Sequence, residues 1–343
     1  MRTVILGKTG IAAPQNGFGA LPIQRDDMPT AVRILRRAYE GGMRFFDTAR
    51  AYSDSEQKLG LALSDVRKSI FIATKTGAKT PDELHSQLEI SLKNLKTDYL
   101  DLYQFHCAGQ VYAPGDGTGM YEAMLALRRA GVVRHIGITA HKIDVAEEAV
   151  KSGLYETLQF PFSYLATDRE RALVALCAEH NVGFIAMKGL AGGLISNSRA
   201  AYAYIGQFDN VMPIWGIQRE SELDEWLSYM DCTPTMDSEF AAFIEKERLE
   251  LSGDFCRSCG YCMPCPQGIQ INQCARMSLM LRRAPTAAWT TEYWRAEMEK
   301  IDTCLGCGRC KSRCPYELDT PELLKRNLED YRNVLAGRTV LAK

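Results

Sequence analysis

The stretch Cys304-Leu305-Gly306-Cys307-Gly308-Arg309-Cys310-Lys311-Ser312-Arg313-Cys314-Pro315 determines how the C-terminal part of this chain folds. A similar run precedes it, Cys256-x-x-Cys259-x-x-Cys262-x-x-Cys265-Pro266. Soft thiolates at this density suit iron–sulfur clusters. Zinc ribbons use two separated Cys-x-x-Cys pairs, so a pair of zinc sites is the less favoured interpretation.

The spacing of the two runs predicts how they share two [4Fe–4S] clusters. Two-residue gaps turn three sulfurs toward one cube, and the cysteine before each proline reaches the other cube. The predicted ligand sets are Cys256, Cys259, Cys262 and Cys314 for one cluster, and Cys304, Cys307, Cys310 and Cys265 for the other. The gap before Cys265 is one residue short of the usual spacing, so Cys274 is the alternative fourth ligand.

The remaining cysteines and the composition narrow the class of protein. Of twelve cysteines, only Cys107, Cys177 and Cys232 precede residue 250, and we expect them to be small core residues. No signal-peptide core follows Met1, so we expect a cytoplasmic protein whose clustered cysteines bind metal rather than form disulfides. The net charge of -1 gives no indication of a nucleic-acid or membrane partner. No apolar run approaches the ~18 residues of a membrane span.

Upstream of the cysteine runs, short β-rich segments alternate with amphipathic helical segments. The predicted strands are Gly17–Leu21, Met43–Ala49, Ser69–Thr76, Leu100–Cys107, Val133–Thr139, Thr157–Ser163, Val182–Met187 and Val211–Ile217. Eight strand–helix units in this length predict a closed (β/α)₈ TIM barrel. The alternative is an open doubly wound sheet, but no Gly-x-Gly-x-x-Gly follows the first strand. After about residue 235 the pattern becomes helical, so we predict a barrel over 1–235 and a small, mainly helical cluster domain over 236–343.

Polar residues fall at the carboxyl ends of predicted strands two, three and four, where barrel enzymes carry their chemistry. They are Asp47, Tyr52, Lys75 and His106. Each alone has an ordinary structural explanation, such as an ion pair inside the barrel or a packed tyrosine. Their occurrence together, in this order and at these strand ends, favours a catalytic site.

These segments carry a family resemblance. The stretches Leu6-Gly7-Lys8-Thr9-Gly10, Phe45-Phe46-Asp47-Thr48-Ala49 and Thr97-Asp98-Tyr99-x-Asp101-Leu102-Tyr103 resemble the aldo-keto reductase family over roughly residues 1–230. Residues 250–320 resemble two-cluster, ferredoxin-like modules. The closest match is the branch that carries both. The resemblance implies that Asp47, Tyr52, Lys75 and His106 form the family's catalytic tetrad.

The roles of the tetrad follow from its side chains. We expect Tyr52 to exchange a proton with the substrate and Lys75 to lower the pKa of Tyr52. We expect Asp47 to hold Lys75, and His106 to donate a hydrogen bond to the carbonyl oxygen. The resemblance also implies an NADP or NAD cofactor. The residues that match its binding positions are Thr139, Gln159, Lys188, Gly189, Gly216 and Arg219.

Three functional hypotheses remain open at this stage. In the first, carbonyl or alcohol chemistry with NAD(P)H is coupled to clusters that carry electrons, with a ferredoxin-like redox partner. In the second, the barrel reduces small carbonyl compounds and the clusters are structural. In the third, the chain is a docking or electron-transfer subunit without turnover, which the complete tetrad argues against. A flavin would ordinarily join hydride transfer to one-electron transfer, but the sequence has no flavin fingerprint.

Overall fold

The structure is a computed structural model and describes residues 1–251 and 255–339. A short antiparallel hairpin, β1 (Thr3–Ile5) and β2 (Ala12–Pro14), precedes a closed barrel of eight parallel strands. The barrel strands are β3 (Gly17–Gly19), β4 (Phe45–Asp47), β5 (Phe71–Thr76), β6 (Leu100–Phe105), β7 (Val133–Thr139), β8 (Thr157–Pro161), β9 (Gly183–Met187) and β10 (Val211–Gly216). Neighbouring strands follow chain order, and β10 closes on β3. The predicted TIM barrel is therefore confirmed.

Helices follow the barrel strands. They are α1 (Met28–Glu40), α2 (Ser55–Leu63), α3 (Pro81–Leu95), α4 (Met120–Arg129), α5 (Ile143–Lys151), α6 (Asp168–Glu179), α7 (Ser198–Ile205) and α8 (Glu220–Asp231). The local sequence explains where several of these helices begin and end. The Thr80 side chain accepts a hydrogen bond from the Glu83 amide at the start of α3, and Lys96 ends that helix in the left-handed conformation. Thr167 and Glu170 form a complete capping box on α6.

The hairpin closes the amino-terminal end of the barrel. Val4, Leu6, Ile11 and Ala13 are buried and pack with inward-facing residues at that end of the strands, such as Phe45. Burial of this apolar layer stabilises the barrel floor through the hydrophobic effect. The polar residues at the opposite, carboxyl end of the strands are consequently the ones available for chemistry.

The chain divides into two compact units. The first comprises Met1–Gly189 and Tyr202–Asp237, and the second comprises Leu190–Ala201 and the residues from Ser238 onward. The sequence-based boundary falls two residues before the end of the first unit. The segment 190–201, which follows β9, was assigned to the barrel by sequence but groups with the second unit.

The second unit is helical. Its helices are α9 (Ser238–Glu250), α10 (Ile271–Cys274), α11 (Met277–Arg283), α12 (Glu292–Glu299), α13 (Arg309–Ser312) and α14 (Thr320–Leu335). Arg276 has φ -129° and ψ 8°, which is not helical, and it separates α10 from α11. Tyr331 and Met298 are fully buried in the core of this unit. In the described parts of the chain, no helix has both the length and the apolar character needed to cross a bilayer.

Candidate active site and cluster sites

Three neighbouring strands position the predicted tetrad. Asp47 is the last residue of β4, Lys75 lies near the end of β5, and His106 follows β6 directly. Tyr52 lies in the turn after β4, where its amide donates to the Ala49 carbonyl. The β4–β5–β6 register places these carboxyl ends side by side. The structure therefore brings the four side chains to one end of the barrel.

Asp47 and Lys75 form a buried ion pair. Lys75 Nζ lies 2.6 Å from Asp47 Oδ1 and donates a second hydrogen bond to the Thr48 carbonyl, also at 2.6 Å. The exposed fractions of Asp47 and Lys75 are 2% and 0%. Burial raises the pKa of Asp47 and lowers that of Lys75, and the attraction between the two charges opposes both shifts. The pair fixes the lysine where solvent does not reach it.

Tyr52 and His106 lie next to this pair and are only half-buried. Their rings meet edge to face, with centroids 5.6 Å apart. Lys75 Nζ lies 5.2 Å from the centroid of the Tyr52 ring. Tyr52 and His106 are thus partly accessible, whereas Lys75 and Asp47 beside them are not. A substrate could contact the first two residues directly and interact with the charges of the other two through space.

The protonation states differ in one respect from the expectation. We expected Lys75 to lower the pKa of Tyr52, but burial raises that pKa, and the Asp47 carboxylate and Cys107 raise it further. That expectation is wrong because burial disfavours the charged phenolate, and the nearby Asp47 carboxylate disfavours it further. Burial, with Lys75 and Lys79, lowers the pKa of His106 to about 3. At neutral pH the site therefore holds a protonated tyrosine and a neutral histidine.

Two of the predicted cofactor residues lie on adjacent strands and are buried. Thr139 and Gln159 pair in register across β7 and β8. Thr139 Oγ1 accepts a hydrogen bond from the Cys107 amide at 2.7 Å. Gln159 Oε1 accepts from Gln104 Nε2 at 2.9 Å, and Gln159 Nε2 lies 3.4 Å from Asp47 Oδ1. Both side chains are thus joined to the loops and side chains that form the tetrad.

The other four predicted cofactor residues follow β9 and β10. Lys188 is half-buried and has φ +60°, and Gly189 is packed so closely that a Cβ there would lie 2.4 Å from the Trp215 ring. Gly216 is exposed at the end of β10, and Arg219 precedes α8 with its side chain 76% exposed. All four lie at or just beyond the carboxyl ends of their strands, on the same end of the barrel as Asp47.

Three neighbours of the tetrad were not among the predicted site residues. Gln104 Nε2 lies 3.5 Å from Asp47 Oδ2. Because strand side chains alternate, its position two residues before His106 was a usable signal. His141 is buried, and burial, with Lys188 and His106, lowers its pKa to about 3. Cys107 is half-buried and follows His106 directly.

Of the three cysteines that we expected in the core, only one is buried. Cys177 is buried, as predicted. The prediction is wrong for Cys107, which lies on the loop after β6, and for Cys232, which is exposed at the end of α8. Cysteine occurs both in cores and at surfaces, so residue type alone could not distinguish the buried cysteine from the accessible ones.

The cysteine runs of the second unit line two cavities. One is bordered by Cys265, Cys304, Cys307 and Cys310, with Cys262 also at its edge. The other is bordered by Cys256, Cys259, Cys262 and Cys314. The cavities are otherwise largely apolar, with Ile271 bordering both. Cys265 and Cys314 therefore each adjoin the cavity formed by the other run.

The alternative fourth ligand, Cys274, borders neither of these cavities. It is fully buried, and its Sγ lies 3.8 Å from the Glu297 carbonyl oxygen. Burial raises the pKa of the Cys274 thiol to about 12. Its environment is that of a core residue and not of a ligand.

The spacing of the thiols fits clusters better than single ions. Within 1–251 and 255–339, no three His, Cys, Asp or Glu side chains converge closely enough to hold one metal ion. Tetrahedral zinc requires such convergence, with Zn–S distances of about 2.3 Å. In an iron–sulfur cube each thiolate binds a different iron, so four thiols spread around an apolar cavity match the donor set of that group.

Comparison with known proteins also divides the chain into a barrel domain and an iron–sulfur domain. The barrel and the cysteine-lined cavities define an oxidoreductase with an iron–sulfur domain. The profile of the aldo/keto reductase family matches residues 15–208, and that of a 4Fe-4S dicluster domain matches residues 255–319. The chain belongs to the aldo/keto reductase family.

Individual relatives match the barrel. The chain is 30% identical over 210 residues to the uncharacterized oxidoreductase YqkF of Bacillus subtilis (strain 168), covering 57% of this chain and 67% of that protein. It is 31% identical over 195 residues to methylglyoxal reductase DkgB of Escherichia coli O157:H7, covering 53% and 69%. The holo form of aldo-keto reductase AKR11C1 from Bacillus halodurans superposes with a TM-score of 0.64 and 25% identity, covering 72% of this chain and 96% of that one. Curated relatives are thus matched over about two thirds of their length.

Proposed function

We propose that the barrel interconverts a small carbonyl compound and its alcohol, with Tyr52 as the proton donor and acceptor. The observation that supports this most directly is the half-buried Tyr52–His106 pair beside the buried Lys75–Asp47 ion pair. The bound NAD(P)H would supply the hydride. The chain's own task is then to bind the carbonyl oxygen, polarise it and deliver a proton to it.

Each side chain has a distinct part in that task. Tyr52 keeps its proton at neutral pH, so its Oη can donate to a developing alkoxide and receive the proton back in the reverse direction. His106 is neutral, so one ring nitrogen can donate to the carbonyl oxygen without placing a second charge in the site. Lys75 supplies a fixed positive field, and Asp47 with Thr48 holds its position.

The cofactor is proposed to lie along the carboxyl ends of β7 to β10. Thr139 and Gln159 would face its nicotinamide amide, while Lys188, Gly189, Gly216 and Arg219 would contact its phosphates. Arg219 is the exposed cation best suited to an additional phosphate, which favours NADP over NAD. The likeness to a protein named as a methylglyoxal reductase supports a small carbonyl compound as the class of substrate.

The second unit is proposed to hold two [4Fe–4S] clusters. The proposed ligands are Cys256, Cys259, Cys262 and Cys314 for the inner cluster, and Cys265, Cys304, Cys307 and Cys310 for the outer cluster. We name them by exposure, because Cys304 and Cys307 are exposed while Cys256 and Cys259 are not. We propose that the clusters carry electrons to or from a ferredoxin-like protein, since an exposed cluster is accessible to a partner. A flavin is not indicated by any motif.

Anaerobic reconstitution tests the ligand assignment. The protein should contain about eight irons, with equivalent acid-labile sulfide. Stoichiometric zinc without sulfide would contradict the proposal. Replacement of Cys259 and of Cys307 by serine, each in its own variant, should each perturb one EPR signal of the reduced protein and leave the other.

A second experiment separates electron-carrying clusters from structural ones. The reconstituted protein is mixed with NADPH or NADH, with and without a dicarbonyl substrate, while cluster absorbance and EPR are followed. Reduction of the clusters at a rate comparable to turnover would support electron transfer. Steady carbonyl reduction with clusters that stay oxidised throughout would support the structural alternative instead.

A further inference from the structure

Arg276 is a cation enclosed within the second unit. The residue is only 2% exposed. Its Nη2 donates to the Gly192 carbonyl oxygen at 2.6 Å and lies 2.9 Å from Met280 Sδ, while its Nε has no hydrogen-bond partner. Throughout the described residues, no carboxylate pairs with this guanidinium. Gly192 and Met280 both belong to the same unit as Arg276.

A buried guanidinium without a counter-charge is unfavourable. Removing an ion from water costs several kcal/mol even after relaxation, and neutral acceptors offset only part of that cost. A carbonyl and a thioether supply hydrogen-bond acceptors and no charge. The position of Arg276 is therefore explained best by an anion that binds beside it.

Among the described residues, the negative charge that acts on Arg276 belongs to Cys256 in the first cysteine run. Cys256 Sγ lies 3.8 Å from the carbonyl oxygen of Asn272 in α10, and Arg276 lies two residues beyond the end of that helix. Burial lowers the pKa of Arg276, and the Cys256 thiolate opposes that shift.

We propose that Arg276 is the electrostatic partner of the inner cluster and raises its reduction potential. The proposal rests on the ligand set proposed above. In a cube held by four thiolates the ligands carry more negative charge than the core has positive charge, so the group is an anion. Its one-electron reduction converts one ferric iron to ferrous, breaks no bond and takes up no proton, so one more negative charge must be stabilised. A buried cation stabilises that charge more strongly than an exposed one, because screening is weak there.

In the described residues, no buried arginine corresponding to Arg276 borders the cavity of the outer cluster. The arginine that borders its cavity is Arg309, whose side chain is exposed. A charge in contact with water changes the reduction potential of a cluster little, because solvent and salt screen it. Arg276 should therefore separate the two potentials, with the inner cluster the better electron acceptor on account of this residue.

The test is a redox titration of the reconstituted full-length protein, with the EPR signal of each cluster assigned from the Cys259→Ser and Cys307→Ser variants. Arg276→Met should reduce the ratio of reduced to oxidised inner cluster at least about tenfold at a fixed potential, equivalent to a midpoint about 59 mV lower. Arg276→Lys should retain most of the parent potential. Arg282→Met is the matched control, because Arg282 lies on α11, is exposed and pairs with Asp330. It should leave both midpoints unchanged.

Two outcomes would overturn the inference. One is an unchanged inner-cluster potential in Arg276→Met, and the other is an equal shift in Arg276→Lys, which would assign the effect to shape and not charge. If Arg276→Met does not assemble its cluster, Arg276→Gln, which keeps a donor for the Gly192 carbonyl, carries the same expectation. Iron and sulfide contents test the ligand set separately, so loss of the clusters and loss of the potential shift are distinguishable.

Discussion

Lys75 Nζ lies 2.6 Å from Asp47 Oδ1, and neither residue is more than 2% exposed. A buried ion pair of this kind adds little net stability compared with apolar residues of the same shape, but breaking it leaves an uncompensated charge. The pair is therefore better understood as a means of holding the lysine beside Tyr52 than as a source of folding energy.

Replacement of Lys75 by methionine should destabilise the protein by about 3–5 kcal/mol at pH 8, because Asp47 is then buried without a partner. Urea denaturation measures this. The loss should be smaller at pH 5, since the unpaired Asp47 has a raised pKa and can take up a proton. The double variant Asp47→Asn/Lys75→Met should regain most of the stability. Equal losses in the single and double variants would show that the pair is not the cause.

Replacement of Tyr52 by phenylalanine should lower turnover at least ~10²-fold, because the proton donor is lost while the ring is kept. Cofactor affinity, measured by fluorescence titration, should stay near the parent value. Tyr39→Phe is the control, since Tyr39 lies on α1 against Arg44 and away from the tetrad. Parent-rate carbonyl reduction by Tyr52→Phe would show that the tetrad assignment is wrong.

The rate of carbonyl reduction should be nearly independent of pH between about 6 and 8. The pKa of His106 is lowered to about 3 and that of Tyr52 is raised, so neither group changes protonation in this interval. The measurement is kcat against pH at saturating substrate, with cluster absorbance monitored to exclude cluster loss. A change in kcat centred near pH 6.5 that is absent in His106→Gln would contradict the assignment of His106 as neutral.

Much of the barrel could be predicted from the sequence, because the relevant signals are local. Alternating strand and helix patterns and capping residues such as Thr80 fix where elements begin and end. The predicted tetrad came from the rule that chemistry lies at the carboxyl ends of barrel strands, and the structure brings its four residues to one end of the barrel. The protonation of Tyr52 did not follow, because desolvation depends on residues brought together only by folding.

The same limit applies to the second unit. Cysteine spacing predicted two ligand sets, and the same cysteines border two cavities, with Cys262 at the edge of both. It did not indicate that the segment 190–201 groups with the cluster unit, or that Arg276 is buried against Gly192. Those features join residues 84 positions apart in the chain, and no periodic pattern reports such a contact.

The unfolding free energy should fall as the pH is lowered from 6.5 toward 3, in part because of His141. Its pKa is lowered from 6.5 to about 3 in the folded protein, chiefly by burial, so in that interval the unfolded chain binds a proton that the folded chain does not. The stabilising contribution is complete above pH 6.5 and changes by at most about 1.4 kcal/mol per pH unit below it. Urea denaturation at pH 7.5 and 5.5 should show a weaker pH dependence for His141→Gln than for the parent. The exposed His85, changed to glutamine, is the control, and an unchanged dependence in His141→Gln would refute the assignment.

The last prediction concerns how the two clusters share their ligands. Cys265 borders the cavity of Cys304, Cys307 and Cys310, although it belongs to the first run. Cys265→Ser should therefore damage the outer cluster and spare the inner one, even though its own run supplies the inner set. Anaerobic reconstitution followed by EPR of each reduced cluster measures this, with iron content as a second readout.

Cys274→Ser is the matched control for that experiment. Cys274 is buried and borders neither cavity, so its replacement should leave both EPR signals and the iron content at parent values. If Cys265→Ser instead loses the cluster of Cys256, Cys259 and Cys262, cross-ligation is refuted and each run completes its own cube. If Cys274→Ser loses a cluster while Cys265→Ser does not, Cys274 is the fourth ligand. If cross-ligation holds, the two runs form one folding unit, because neither cube can be completed until both runs are in place.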